Sequence, residues 1–457
     1  MELVNLSIVQ HAPQTVSSIL QDDKIMQVCQ VNGFFREYII SRPMEDNHVF
    51  WLEGHYCSMN TLRAGRHMVI GRSWDRDANV LSSIDFSRLR SLTVFGKWER
   101  FFMSANMKLL RALDLEDVSG LVDGDLEQIG KVLPRLKFLS LRGCKMIHRL
   151  PKSLGRLRQL QTLDIRHTSV VALPSSIVKL QKLQYVRAGT TAPSSGKQPP
   201  SSVSWLSMLR RRQLAGGTRN AGVEVPGGIG QLTALHTLGV VNFNAVGGKA
   251  TVEELKNLTQ LHKLGVYGIN RRNSERFFSA IANHGHLESL SPWLDKDNIA
   301  GCLDGSSPPL KNLQCLKLYG YYPSTLPAWF EQLHNLTRLT VQVTTVDEES
   351  IHAMTDLPKL RILQLYVHRG DENGRLSFLE SQRLEVLEVF CCTSLHLQFD
   401  SHYKKSRYFR RPKTAENKLL PPKTGNFRRL LANFRRDLDA GNGQPKISTI
   451  FGGPAES

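Results

Sequence analysis

His236 and His262 each follow a leucine and lie 26 residues apart. Two imidazoles at matching points of a periodic chain can ligate a metal ion through their neutral ring nitrogens. They can also stack as neighbours on a surface, and that is the reading preferred here. The seven cysteines are Cys29, Cys57, Cys144, Cys302, Cys315, Cys391 and Cys392. They are scattered and form no Cys-x-x-Cys pair, so neither a zinc site nor a disulfide framework is indicated. A reducing compartment fits them best. The stretch FNAVGGKAT looks like a phosphate-cradling loop, but Phe243 stands where the first glycine belongs and Ala250 where the hydroxyl belongs. No His-Glu-x-x-His or Gly-x-Ser-x-Gly motif occurs. The expectation is a chain with no catalytic residue, no cofactor and no metal, so not an enzyme.

The elements that would position these side chains come from a repeated spacing, Leu-x-x-Leu-x-Leu. Its first residue falls at Leu89, Leu110, Leu136, Leu160, Leu183, Leu235, Leu261, Leu287, Leu313, Leu336, Leu360 and Leu384. The steps lie between 21 and 26 residues, except one of 52, which is twice 26. A period of about 20–29 residues with this spacing is that of a leucine-rich repeat. A bundle of amphipathic helices would need apolar spacings of three and four over longer runs. The expected fold is an α/β repeat, a leucine-rich-repeat solenoid with a curved parallel sheet of about 12–13 repeats. One such strand cannot bury its own apolar face, and stacked neighbours bury all the leucines together. Cys144, Thr168 and Cys392 fall three residues past the last strand leucine, where a small buried residue can bond the turning backbone. Leu-Pro pairs at Leu150-Pro151, Leu173-Pro174 and Leu326-Pro327 start the return legs.

With leucines buried, the third, fifth and seventh positions should face the open side of the sheet. The third and fifth supply Asp114, Asp164, Arg187, Lys263, Lys317, Arg338 and Glu388. The seventh supplies Phe95, Glu116, Arg142, Arg166, Tyr267, Trp293, Tyr319, Tyr366 and Phe390. Asp114, Arg142, Asp164, Arg166, Lys263, Tyr267, Trp293, Lys317, Tyr319, Arg338, Tyr366 and Phe390 are the candidate protein-binding residues. Their aromatic members are read as an exposed ladder of interface anchors. A one-residue slip in register would bury them instead.

Net charge is +18, but residues 402–457 hold 13 Lys/Arg against 4 Asp/Glu, so half of the excess sits in a tail. That tail is expected to be disordered, and nucleic acid would be bound, if at all, only through it. No apolar run of about 18 residues occurs, so no membrane span is expected. MELVNLSIVQHAPQ lacks a basic segment followed by an apolar run, so no secretory signal is expected either. Between Arg187 and Val223 the spacing fails, and AGTTAPSSGKQPPSSVSW reads as a Pro-, Ser- and Gly-rich loop.

ELVNLSIVQHA and CQVNGFFREYIISR resemble the end of the nucleotide-binding (NB-ARC) region of plant disease-resistance proteins. LRSLTVFG, LRALDLED and the LPRLKFLSLRGC to LPKSLGRLRQLQTLDIRHT run resemble that family's repeats. The resemblance covers about residues 2–400. It implies a short helical winged-helix remnant over 1–45, a repeat domain over 46–400 with an insertion at about 188–224, and a tail over 401–457. The family's Met-His-Asp-type motif falls on Val31, Asn32 and Gly33, so its histidine and aspartate are replaced. The role implied is cytoplasmic recognition of protein in plant defence: a pathogen effector, a guarded host protein or another receptor chain. The alternative is a repeat scaffold or substrate adaptor in a ubiquitin-ligase-type complex.

Overall fold

Each of the twelve leucine units becomes one strand of a single sheet. In the computed structural model the described residues are 9–11, 29–31, 49–54, 66–189, 222–294, 310–322, 327–343, 346, 348–367, 375–378, 384–391, 396–399 and 408–410. The first five units give β5 (Ser91–Val94), β6 (Ala112–Asp114), β7 (Phe138–Ser140), β8 (Thr162–Asp164) and β9 (Tyr185–Arg187). The remaining units give β10 (Thr237–Asn242), β11 (Lys263–Ile269), β12 (Ser289–Leu294), β13 (Cys315–Tyr322), β14 (Arg338–Val343), β15 (Ile362–Val367) and β17 (Val386–Cys391). Three strands without the leucine spacing extend the sheet to fifteen: β3 (Val49–Leu52) and β4 (His67–Ile70) at one end, β19 (Tyr408–Arg410) at the other. The twelve leucine units match the expected 12–13 repeats, and β19 adds one more strand to the sheet past residue 400.

All neighbours in the sheet run parallel, and the register follows the fourth position of the unit. Leu92, Leu113, Leu139, Leu163 and Val186 lie side by side, followed by Leu238, Leu264, Leu290, Leu316, Leu339, Leu363 and Leu387. Each is at most 2% exposed. Burying a leucine stabilises by about 1.5–3 kcal/mol, and a one-residue slip would turn this whole column outward.

Step length together with the Leu-Pro pair tracks the return leg. The 26-residue steps from Leu110, Leu235 and Leu261 carry α-helices of eight to ten residues: Asp123–Val132 (α2), Gly248–Leu255 (α3) and Ser274–Ile281 (α4). A shorter helix, Ala78–Ser82 (α1), precedes them, and Glu348–Thr355 (α5) follows. The 23- and 24-residue steps with a Leu-Pro pair carry five-residue 3-10 turns instead, Lys152–Arg156, Ser175–Lys179 and Ala328–Gln332. Pro151, Pro174 and Pro327 precede them at φ near −70°, the value the pyrrolidine ring imposes.

Among the described residues the 52-residue step places no strand of the sheet between its two units. β9 pairs directly with β10, Tyr185 against Thr237 and Val186 against Leu238. The chain rejoins the stack before the expected end of the insertion at 224: Val223 bridges Val241, Glu224 bridges Ala172, and Leu173 N donates to Glu224 O at 2.9 Å. The insertion itself, 190–221, lies outside the described residues.

At the N-terminus the described residues, 9–11 and 29–31, form a strand pair, and the rest of the expected helical remnant over 1–45 lies outside the described residues. β1 (Val9–His11) and β2 (Cys29–Val31) run antiparallel, with Val31 opposite Val9. Asn32 and Gly33 lie outside the described residues, as does 411–457. A separate parallel pair, β16 (Arg375–Phe378) with β18 (His396–Phe399), follows β15 and β17 in the chain.

Candidate protein-binding face

The N-terminal strands place charge at the fifth and seventh positions. Asp114 Oδ1 accepts from Glu116 N at 3.2 Å, and Asp164 Oδ1 accepts from Arg166 N at 3.1 Å. In both, a strand-end carboxylate ties down the amide two residues on, the local bond that makes aspartate a turn former. Arg166 then grips Asp164, with Nε at 3.0 and 3.1 Å from the two oxygens and Nη2 at 2.6 Å. Arg187 Nη1 stands 3.8 Å from the same carboxylate. Arg142 Nη1 pairs with Glu116 Oε1 at 2.9 Å across the next strand. Burial pushes the Glu116 carboxyl up, against Arg142 and with Asp114, Asp117 and Asp164 nearby.

The C-terminal strands carry the aromatic row. Tyr267, Trp293 and Tyr319 are in register on β11, β12 and β13. The Trp293 and Tyr319 rings stack with centroids 4.4 Å apart and planes 30° apart. Two strands on, Tyr366 and Phe390 stack at 4.6 Å and 7°. Gln342 stands beside Tyr366 in the register, and its Oε1 accepts from Gly320 N at 3.2 Å. A polar ladder runs along the fifth position: Thr340 Oγ1 donates to Gln364 Oε1 at 2.8 Å, and Gln364 Nε2 donates to Glu388 Oε2 at 2.9 Å. Burial, with Tyr319 and Glu388 nearby, pushes the Tyr366 phenol well up, and Lys317 opposes the shift.

Several expected open-side residues are not open. Asp164 is 4% exposed because two guanidiniums close over it, and Arg338 is 4% exposed between its in-register neighbours Cys315 and Ile362. Tyr319 is 6% exposed beneath Trp293, and Glu388 is buried too. Asp114, Arg142, Arg166, Lys263, Lys317, Tyr267, Trp293, Tyr366 and Phe390 are half-buried, whereas Phe95 is 44% exposed. The exposed ladder is thus corrected to a half-buried one, because each stacked ring covers a face of the next.

The histidines form a longer stack than the spacing suggests. Tyr185 meets His236 edge-on at 5.6 Å, His236 meets His262 at 5.1 Å, and His262 stacks on His286 at 5.5 Å. Burial, reinforced by His262 and His286, lowers the His236 pKa. His286 precedes its leucine whereas the others follow theirs, so the repeat phase gave no signal for it. Among the described residues no three His, Cys, Asp or Glu side chains come together to hold a metal ion. Cys144 is buried, its Sγ donates to Leu115 O at 3.0 Å, and burial pushes its pKa up to about 11. Thr168 Oγ1 donates to Ile165 O at 2.7 Å within its own turn. Cys392 lies outside the described residues.

The family model for a leucine-rich repeat region matches residues 88–198 and 193–405. The chain belongs to the leucine-rich repeat family. Its curated relatives are plant disease-resistance proteins, as the sequence resemblance implies. Disease resistance protein Pik-2 of Oryza sativa subsp. japonica is 32% identical over 176 residues, 38% of this chain and 17% of Pik-2. Disease resistance protein PIK6-NP of the same organism is 27% identical over 368 residues, 78% of this chain and 35% of the relative. This leucine-rich repeat protein thus spans a third or less, or little more, of the relatives it matches. Among solved structures, a TDR receptor is 18% identical with a TM-score of 0.37, covering 80% of this chain and 58% of that one. No described helix is long and apolar enough to cross a membrane.

Proposed function

We propose that this resistance-like leucine-rich repeat protein is a non-catalytic recognition module of plant defence, acting inside the cell. Its ligand is a protein, either a pathogen effector, a guarded host protein or another receptor chain. The observation that carries the reading is the row Tyr267, Trp293, Tyr319 on three adjacent strands, continued by Tyr366 and Phe390. Rigid aromatics, half-buried here except for the buried Tyr319, bring contact area at low cost in side-chain entropy and dominate binding at protein interfaces. The charged N-terminal positions around Glu116, Arg142 and Arg166 would orient the partner more than hold it. The test is the triple substitution of Tyr267, Trp293 and Tyr319 by Ala, read by pull-down of partners from plant extract. Loss of a partner with the sheet intact by circular dichroism is expected. Unchanged capture removes the aromatic row from the binding face.

A further inference from the structure

One rim of the sheet carries a row of cations that form no ion pair among the described residues. The second position of each unit lies at the strand's entry, and its amide donates to the second-position carbonyl one strand back. Arg90 N reaches Arg66 O at 2.6 Å, Arg111 N reaches Arg90 O at 2.7 Å, and Lys137 N reaches Arg111 O at 2.7 Å. These bonds fix four cationic residues on four consecutive strands, a step of roughly 4.8 Å. Arg66, Arg111 and Lys137 are exposed and Arg90 is half-exposed. The turns leading into the same strands add exposed Arg88, Lys108 and Arg135.

Like charges side by side on a sheet repel and destabilise it. Among the described residues none of these seven forms an ion pair. Asp85 feels the charge of Arg88. Its carboxyl is held below the ordinary range first by hydrogen bonds from Ser87, and Arg88 adds only the smallest contribution. The row is also confined. The next second positions are Gln161 and Gln184, then His236 and His262, then Glu288. The repulsion is therefore local to the first strands, where an anion laid along the rim would relieve it.

The spacing and the surroundings select the anion. A helix sets acidic side chains at i and i+4 about 5–6 Å apart, close to the strand step, so it can meet one cation per turn. No second position from Arg66 to Gln184 is aromatic, so the row offers no platform on which bases could stack. We infer that the rim at Arg66, Arg90, Arg111 and Lys137 docks an acidic helix of a partner protein, a surface distinct from the aromatic row. Docking there is electrostatic and weakens with salt.

The experiment uses the full chain and a fluorescent α-helical peptide with glutamate at every fourth position as the probe, read by anisotropy at about 0.1 M salt. Replacing Arg90, Arg111 and Lys137 by Glu together is expected to weaken binding roughly tenfold. R90K and R111K together are expected to retain it. Replacing Lys249, Arg271 and Arg272, exposed cations elsewhere, by Glu serves as the control and is expected to change little. Circular dichroism reports the fold of each variant, and R111Q alone, expected to weaken binding in the same direction, gives a gentler variant. Equal binding by the rim variant and the wild type overturns the inference, and so does equal loss in the control. Loss of oligothymidine or anionic-vesicle binding in the rim variant, with peptide binding unchanged, overturns it in favour of a phosphate-bearing partner.

Discussion

Tyr366 and Phe390 lie nearly parallel, 7° apart with centroids at 4.6 Å, on strands held in register by the backbone. The contact exists only because two units 24 residues apart in sequence stack one strand apart in space. A double-mutant cycle with Tyr366→Ala and Phe390→Ala should give a coupling of about 0.5–1.5 kcal/mol, measured by urea unfolding of the four proteins. A coupling near zero would mean that the stack does not form in solution.

Two glycines should respond to alanine with opposite signs. Gly143 has φ 76°, and a Cβ there would fall 1.9 Å from Asp117 Oδ1. Gly143→Ala should destabilise by about 1–3 kcal/mol. Gly124 sits in helix α2 with nothing within 4 Å of the added carbon. Gly124→Ala should stabilise by about 0.5–1 kcal/mol. Thermal midpoints of the two variants read the comparison directly.

Acid should weaken the repeat stack at His284. This side chain is buried, its Nε2 is 3.1 Å from Leu255 O, and burial lowers its pKa. A base whose folded pKa lies below its unfolded one binds fewer protons when folded. Its stabilising effect is complete above the ordinary imidazole range, about 6.5, and is lost as pH falls below it. Melting curves between about pH 7.5 and 5 should therefore shift down with acid, and less so in His284→Gln. An identical slope in both proteins rules out His284 as the source.

The buried thiols should resist alkylation. Cys144 and Cys315 are both buried, and the Cys144 thiol is pushed up to about 11. At pH 7 N-ethylmaleimide should leave both unmodified in the folded chain and label both in urea, as read by peptide mass spectrometry. Labelling of Cys144 without denaturant would contradict its place behind Leu115.

The fold could be read from the leucines because one phase repeats and only one register buries it. β3 and β4 escaped for the same reason: Met68 and Ile70 are buried there, yet they do not spell the leucine spacing. β19 escaped because Phe409 takes the register place opposite Leu387, within a stretch whose basic residues read as tail. Alternation also said which way Asp164, Arg338 and Tyr319 point without saying what lies over them. Burial on the open side depends on side chains from neighbouring units, such as Arg166, Arg187 and Trp293. A one-dimensional pattern holds no record of that cover.

The direct pairing of Tyr185 with Thr237 has a consequence for the chain as a polymer. Sheet continuity and chain continuity part company there, since the hydrogen bonds pass from β9 to β10 while the covalent path makes a long detour. A break in the peptide backbone within that detour leaves every strand beside its proper neighbour. Two polypeptides split within that detour are expected to reassemble along this one seam, where β9 and β10 meet through hydrogen bonds.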